Sequence, residues 1–352
     1  MKAYVLKGIN ELIKTDVEKP AIGADDVLVK VMAAGICGSD IPRIFKTGAH
    51  VHPLIPGHEF SGKVVECGCN ATEWEGKNVG IFPLIPCMKC DSCKKKQYQM
   101  CKNYSYLGSR CDGGFAEYVR VPSWNLIKLP DSLSFEEAAM LEPLSVSAHA
   151  VRKAVTGVNK EAFVCVWGLG TIGLMCVSIL KAMGYNNIIA VAKKKRQIEL
   201  AIKCGVPASF CVDINSEDAF SAISELTNGN GADVSFECVG RPESAEACVK
   251  IATPGGKVMF VGNPASDMSF SKDVYWNILR HELTIYGTWN SSFTHDDDDD
   301  WHFVLKLLSE GKIDKDILIS HRLSFDDLEK GLYIMRDKTE DYTKIIVAKG
   351  IE

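Results

Sequence analysis

Cys87, Cys90, Cys93 and Cys101 stand in one short stretch, spaced x2, x2 and x7. Tetrahedral zinc bound by four thiolates needs sulfurs a few residues apart on tight turns, and this run supplies them. Lys89, Lys94, Lys95 and Lys96 lie beside the quartet, where cations offset the net negative charge of such a centre. Sulfur fills every coordination position, so this zinc is structural. It pins a lobe, and the chemistry must lie elsewhere.

A second set can do chemistry. Cys37 sits in Gly35-Ile36-Cys37-Gly38-Ser39-Asp40, His58 in Gly57-His58-Glu59-Phe60-Ser61-Gly62, and Glu142 in Leu141-Glu142-Pro143-Leu144. One thiolate, one imidazole and one carboxylate can bind zinc and leave a position for water or substrate. Each alone reads as an ordinary core or structural group.

Gly168-Leu169-Gly170-Thr171-Ile172-Gly173 matches the dinucleotide fingerprint, with Gly168, Gly170 and Gly173 as its glycines. These allow a tight turn, close approach to a pyrophosphate and close helix–strand packing. The motif follows the apolar run Phe163–Trp167 and opens a helix from about Thr171 to Met183, the context that gives it weight. An acidic residue about twenty positions on usually binds the adenosine ribose. Here Ile188–Val191 runs instead into Ala192, then Lys193, Lys194, Lys195 and Arg196. Cations at a helix start oppose the macrodipole, and a 2′-phosphate relieves that conflict. NADP is the expected cofactor and NAD the alternative, which would leave the cations as a solvated helix start.

The elements that must carry these groups change character along the chain. Up to about residue 150, short strands alternate with glycine-rich breaks at Asp26–Ala33, Gly62–Cys67, Asn78–Pro83 and Ala116–Val121, as in an irregular β domain. From about residue 160, apolar strands at Ile188–Val191, Val234–Cys238, Lys257–Val261 and Leu283–Tyr286 alternate with helical patterns. That order implies a parallel sheet covered on both faces. A helix near Trp301–Ser309 and a strand near Lys344–Ala348 are expected to return to the first domain. The acidic run Asp296–Asp300 precedes that helix, where carboxylates suit the dipole.

A chain of 352 residues suits two domains, and its 46% hydrophobic and 24% charged content is that of a globular protein. A net charge of −5 argues against a general nucleic-acid binder. No secretory signal or membrane span is expected, so the fourteen cysteines point to a reducing, cytoplasmic setting.

Taken together, these motifs resemble those of the zinc-dependent medium-chain alcohol and polyol dehydrogenases over essentially the whole chain. The run Asp112-Gly113-Gly114-Phe115-Ala116-Glu117-Tyr118 belongs to the resemblance too. Ser39–His50 and Gly108-Ser109-Arg110 look most like the galactitol-1-phosphate dehydrogenase branch, with sorbitol and ribitol-phosphate dehydrogenases nearby. The resemblance implies a GroES-like β catalytic domain at 1–152 and 291–352, with the structural zinc lobe at 87–101. It implies a doubly wound Rossmann domain at 153–290. Two zinc ions per subunit follow, the catalytic one on Cys37, His58 and Glu142, with Glu59 either a direct ligand or behind the metal. Glu59 and Glu142 thus count among the catalytic residues, with Ser39 first in a proton relay. Many relatives carry a histidine five residues after the ligand cysteine; here it is Pro42, leaving Asp40, His50 or water to continue the relay. Arg43, Lys46 and Arg110 are the cations expected to hold a substrate phosphate. The cofactor contacts expected are Gly168, Gly170, Thr171, Ile172, Gly173, Lys193, Lys194 and Arg196. Hydride exchange between NADP and a secondary alcohol of a polyol or polyol phosphate is the implied reaction. A homodimer or homotetramer is the implied assembly, with Thr284–Trp289 as the pairing strand.

Three readings compete with this one. An NAD-linked dehydrogenase of a free polyol such as sorbitol keeps the same zinc chemistry. A metal-free quinone-reductase-like enzyme generally lacks both cysteine sets. A zinc-stabilised binding protein without catalysis would be expected to have lost a ligand, and none is missing here.

Overall fold

The computed structural model describes residues 1–350 and divides into two compact units. Among the described residues the first comprises 1–143, 292–311 and 319–350, and the second 144–291 and 312–318. The expected boundary at 152/153 falls inside the helix Leu141–Val155.

The first unit opens with the hairpin β1 (Lys2–Leu6) and β2 (Leu12–Asp16), then the long β3 (Asp26–Ile36) and β4 (Glu59–Cys67). β5 (Asn78–Ile81), β6 (Leu84–Ile85), β7 (Ser105–Tyr106), β8 (Tyr118–Pro122) and β9 (Leu126–Lys128) follow. Val27, Val29 and Val31 bury one face of β3, which pairs with both β4 and β8. Register shifts at Leu28/Val29 and Val31/Ala33 break the β3–β4 ladder; such bulges bend a strand and re-aim the side chains that follow.

The second unit contains β10 (Val164–Trp167), β11 (Ile188–Ala192), β12 (Cys211–Asp213), β13 (Ala232–Glu237), β14 (Ala252–Phe260) and β15 (Thr284–Gly287). All pair in parallel, in the order β12-β11-β10-β13-β14-β15. β10 and β11 are buried at every position, which explains their lack of alternation. This is the doubly wound arrangement expected from the sequence, with the glycine turn at the carboxyl end of β10.

The chain then returns to the first unit through β16 (Ile319–Ser324) and β17 (Lys344–Ala348), and β17 pairs antiparallel with β3. The acidic run does start a helix, Asp300–Ser309: Asp299 caps it by accepting from the His302 N–H at 2.8 Å. Asp300 is buried and accepts from the Ser292 N–H and hydroxyl. Among the described residues no helix is long and apolar enough to cross a membrane.

Candidate functional site

Three neighbouring strand ends build the site in the first unit. Cys37 follows β3, His58 immediately precedes β4, Glu59 begins it, and Lys344 begins β17. The registers Gly35↔Glu59 and Ile36↔Ile345 bring these ends together. The ligand atoms of Cys37, His58 and Glu59 lie within 4.8 Å of one another. His58 and Glu59 are buried, so water does not compete for them.

Asp40 braces this group. Its carboxylate is fully buried, accepts from the Cys37 N–H at 3.0 Å and pairs with Arg43 at 2.5 Å. His58 Nδ1 stands 3.6 Å from Asp40 Oδ1, too far for a hydrogen bond, and is buried without a hydrogen-bond partner among the described residues, so Asp40 acts on the ring through its charge. Burial alone would lower the His58 pKa, but Asp40 and then Cys37 hold it well above the ordinary value. Burial would likewise raise Asp40, yet His58 and Arg43 keep it below. An anion-rich pocket that captures a proton on imidazole is one a divalent cation can occupy by displacing that proton. The donor set of thiolate, imidazole and carboxylate fits zinc.

Lys344 was invisible to sequence reasoning. Its ammonium contacts the Glu59 carboxylate and donates to the Ile36 carbonyl at 3.0 Å. Burial works to lower its pKa, while Glu59 and then Cys37 hold it above the usual value. Gly35 makes room: a Cβ there would overlap both the Glu59 carboxylate and the Lys344 side chain.

Glu142 stands beside this trio and not inside it. It lies in the first turn of the helix Leu141–Val155 and accepts from the Tyr106 hydroxyl at 3.1 Å. Burial, countered in part by His58, pushes its carboxyl up to about 7. Tyr106 also meets the His58 ring edge-on at 5.8 Å. Ser39 is half-buried, two residues beyond Cys37.

Among the expected phosphate contacts, Arg43 is committed to Asp40 and Lys46 is exposed. Arg110 is exposed and stacks over Tyr104 at 4.7 Å, and Tyr104 packs on Tyr106. His50 has its pKa lowered by burial, then by Arg110 and Arg43, so these cations share one neighbourhood.

The cysteine lobe is closed. Sulfur–sulfur distances are 3.5 Å for Cys90–Cys93, 3.8 Å for Cys90–Cys101 and 3.9 Å for Cys87–Cys93. Tetrahedral zinc with bonds of about 2.3 Å places its sulfurs about 3.8 Å apart, so the four fit that ion. Backbone N–H groups of Lys89 and Cys90 lower Cys87, and those of Cys93 and Lys102 pull Cys90 down to about 6. Cys93 moves the other way, to about 12, through burial and the neighbouring thiols. A zinc ion relieves that crowding.

In the second unit the fingerprint turn joins β10 to the helix Thr171–Ala182. Gly168 has φ +96°, and a Cβ at Gly173 would strike the Gly168 carbonyl. β11 ends at Ala192; Lys193, Lys194, Lys195 and Arg196 are all exposed, and the helix Lys195–Lys203 has no acid in its first turn. Arg196 reaches Glu199 at 3.6 Å.

Comparison with known proteins agrees with this geometry. The alcohol dehydrogenase GroES-like domain family matches residues 23–131, and the zinc-binding dehydrogenase family matches residues 171–310. Galactitol 1-phosphate 5-dehydrogenase of Escherichia coli K12 is 35% identical over 310 residues, 88% of each chain. L-threonine 3-dehydrogenase of Bacillus licheniformis is 36% identical over 324 residues, 90% of each chain. A putative zinc-binding dehydrogenase from Sinorhizobium meliloti, solved bound to NADP, superposes with TM-score 0.89 at 29% identity, covering 99% of this chain and 98% of that one.

Proposed function

Given that this chain belongs to the zinc-containing medium-chain dehydrogenases, we propose that it exchanges hydride between NADP and a secondary alcohol of a polyol phosphate, interconverting it with the ketose phosphate. The observation that carries this reading is the convergence of Cys37, His58 and Glu59 in one buried, anion-rich pocket braced by Asp40 and Lys344. Cys37 and His58, with Glu59 or Glu142, would hold a zinc ion, which would supply a Lewis acid that lowers the pKa of a bound alcohol. A nicotinamide cofactor held by the glycine turn would supply the hydride acceptor.

The chain's own residues do the rest. Asp40, paired with Arg43, places a negative charge beside the His58 ring. Lys344 pairs with Glu59 and offsets its charge. Glu142, held by the Tyr106 hydroxyl, places a second carboxyl group beside the site. Ser39 passes the alcohol proton outward.

For the substrate, the exposed Arg110 is the cation that favours a phosphate, and the relative named for galactitol 1-phosphate supports that class. A free polyol is the second reading, favoured by the commitment of Arg43 to Asp40. For the cofactor, Ala192 and the exposed Lys193–Arg196 support NADP over NAD, as does the relative solved with NADP. The sheet edge at β15 and the adjoining helix expose Tyr275, Trp276, Leu279, Ile285 and Trp289, a face suited to pairing with a second copy of the chain. A solution mass of one subunit would count against that pairing.

Galactitol, sorbitol, ribitol and their phosphates, each assayed with NAD and NADP, test the reading. Turnover of a phosphorylated polyol with NADP supports it. Turnover of free polyols with NAD retains the zinc chemistry and returns the lysine cluster to a solvated helix start.

A further inference from the structure

Glu237 ends β13, is 1% exposed, and pairs with no lysine, arginine or histidine among the described residues. Such a group must find its partners in hydrogen bonds. Its Oε1 accepts three: from the Val239 N–H at 2.8 Å, the Gly240 N–H at 2.8 Å and the Ser244 hydroxyl at 2.6 Å. Its backbone carbonyl accepts two more at 2.9 Å, from the Val261 and Gly262 N–H groups beyond β14. One residue therefore holds the turns after two neighbouring strands.

Those turns touch the fingerprint. A Cβ on Gly168 would overlap the Val239 side chain, so the turn after β13 is the wall against which the first glycine packs. A Cβ on Gly262 would meet both the Gly240 N–H and the Glu237 carboxylate, so the turn after β14 closes on the same group.

The two halves of the sheet are alike here. β10 leads through Gly168 into the helix Thr171–Ala182, and β13 leads through Gly240 into the helix Pro242–Lys250. Successive N–H groups in such a turn make a seat for an anion. After β10 the helix N-terminus is left for a pyrophosphate. After β13 the chain supplies its own carboxylate.

We propose that Glu237 is a positioning residue, an internal anion that fills the turn after β13. It presses Val239 onto Gly168 and shapes the one pyrophosphate seat. The inference rests on the dinucleotide reading of the glycine turn.

The test is NADPH and NADH binding, followed by tryptophan fluorescence, in the zinc-loaded wild type, Glu237→Ala and Glu237→Gln. E237A should lose about tenfold or more in affinity, the scale of removing a charged hydrogen-bond acceptor. Added formate should refill the emptied seat and restore E237A while leaving the wild type unchanged. E237Q should bind more weakly without responding to formate, and its cofactor KM should rise more than its kcat falls. Wild-type affinity in both variants, or a loss in E237A that formate leaves untouched, overturns the proposal. Should E237A not fold, E237Q decides: weaker binding at an unaltered melting temperature supports it, and unaltered binding overturns it. A wild type that binds neither nucleotide would contradict the dinucleotide reading instead.

Discussion

Lys344 and Glu59 form an ion pair inside the first unit, 2% and 1% exposed, in a space that only a glycine at position 35 leaves open. Glu59 is shared between this pair and the group of Cys37, His58 and Glu59. Removing one partner from a buried pair strands the other charge, which costs about 3–5 kcal/mol. Lys344→Met should therefore lower the melting temperature, and more so after chelation, because bound zinc replaces part of the lost positive charge. An equal drop with and without metal would separate the pair from the metal site.

Gly35→Ala should act on the same pair from the other side. The added methyl overlaps the Glu59 carboxylate and the Lys344 side chain, and overpacking of this kind costs about 1–3 kcal/mol. Thermal unfolding reads it; unaltered stability would show that the pair relaxes freely.

Glu142 gives the metal-free protein a pH dependence of definite sign. Its folded pKa, about 7, lies above the ordinary value of 4.5. Between these values the folded state holds the proton more tightly than the unfolded chain. The contribution is present at low pH and falls by about 3 kcal/mol as pH rises through that window, then stays level. Denaturant midpoints of the chelated protein from pH 4.5 to pH 6.5, below the range in which His58 contributes, should show this decline, and Glu142→Gln should flatten it there. The same slope in both proteins would assign the effect elsewhere.

Cys90→Ser should release the structural ion and leave the other metal site filled. Zinc content should fall from about two to about one per subunit. Limited trypsin digestion should then cut first at Lys94–Lys96, next to the opened knuckle. An unaltered zinc count would contradict the four-thiolate site.

Ala192→Asp, combined with neutral replacements at Lys193 and Lys194, should move preference from NADP to NAD. A change of about tenfold in the ratio of kcat/KM values corresponds to roughly 1.4 kcal/mol, modest for one charged contact. If NADP preference survives, the cations are a solvated helix start.

The readable parts of this protein were those whose partners lie close in sequence. The cysteine quartet, the glycine turn and the fully apolar β10 and β11 each carry their own pattern within a few residues. Cys37 and His58 were legible as donor types, and their meeting depends on the β3–β4 register. Lys344 could not be read, because β17 appears as an apolar strand whose lysine gains its meaning only from pairing beside Ile36 and Glu59. Tyr106 was missed for the same reason: its hydroxyl reaches Glu142 only through tertiary folding. Glu237 looked like the end of one more strand, until five hydrogen bonds showed two turns gathered on it.

The most direct test of the central claim is turnover of Cys37→Ser on the polyol panel, with zinc counted in the same preparation. The account predicts a folded protein that keeps the one structural zinc, binds the nicotinamide cofactor and shows no turnover when zinc is added back. Wild-type turnover by C37S at that reduced zinc content would contradict it, because the chemistry would then lie outside the Cys37, His58 and Glu59 group.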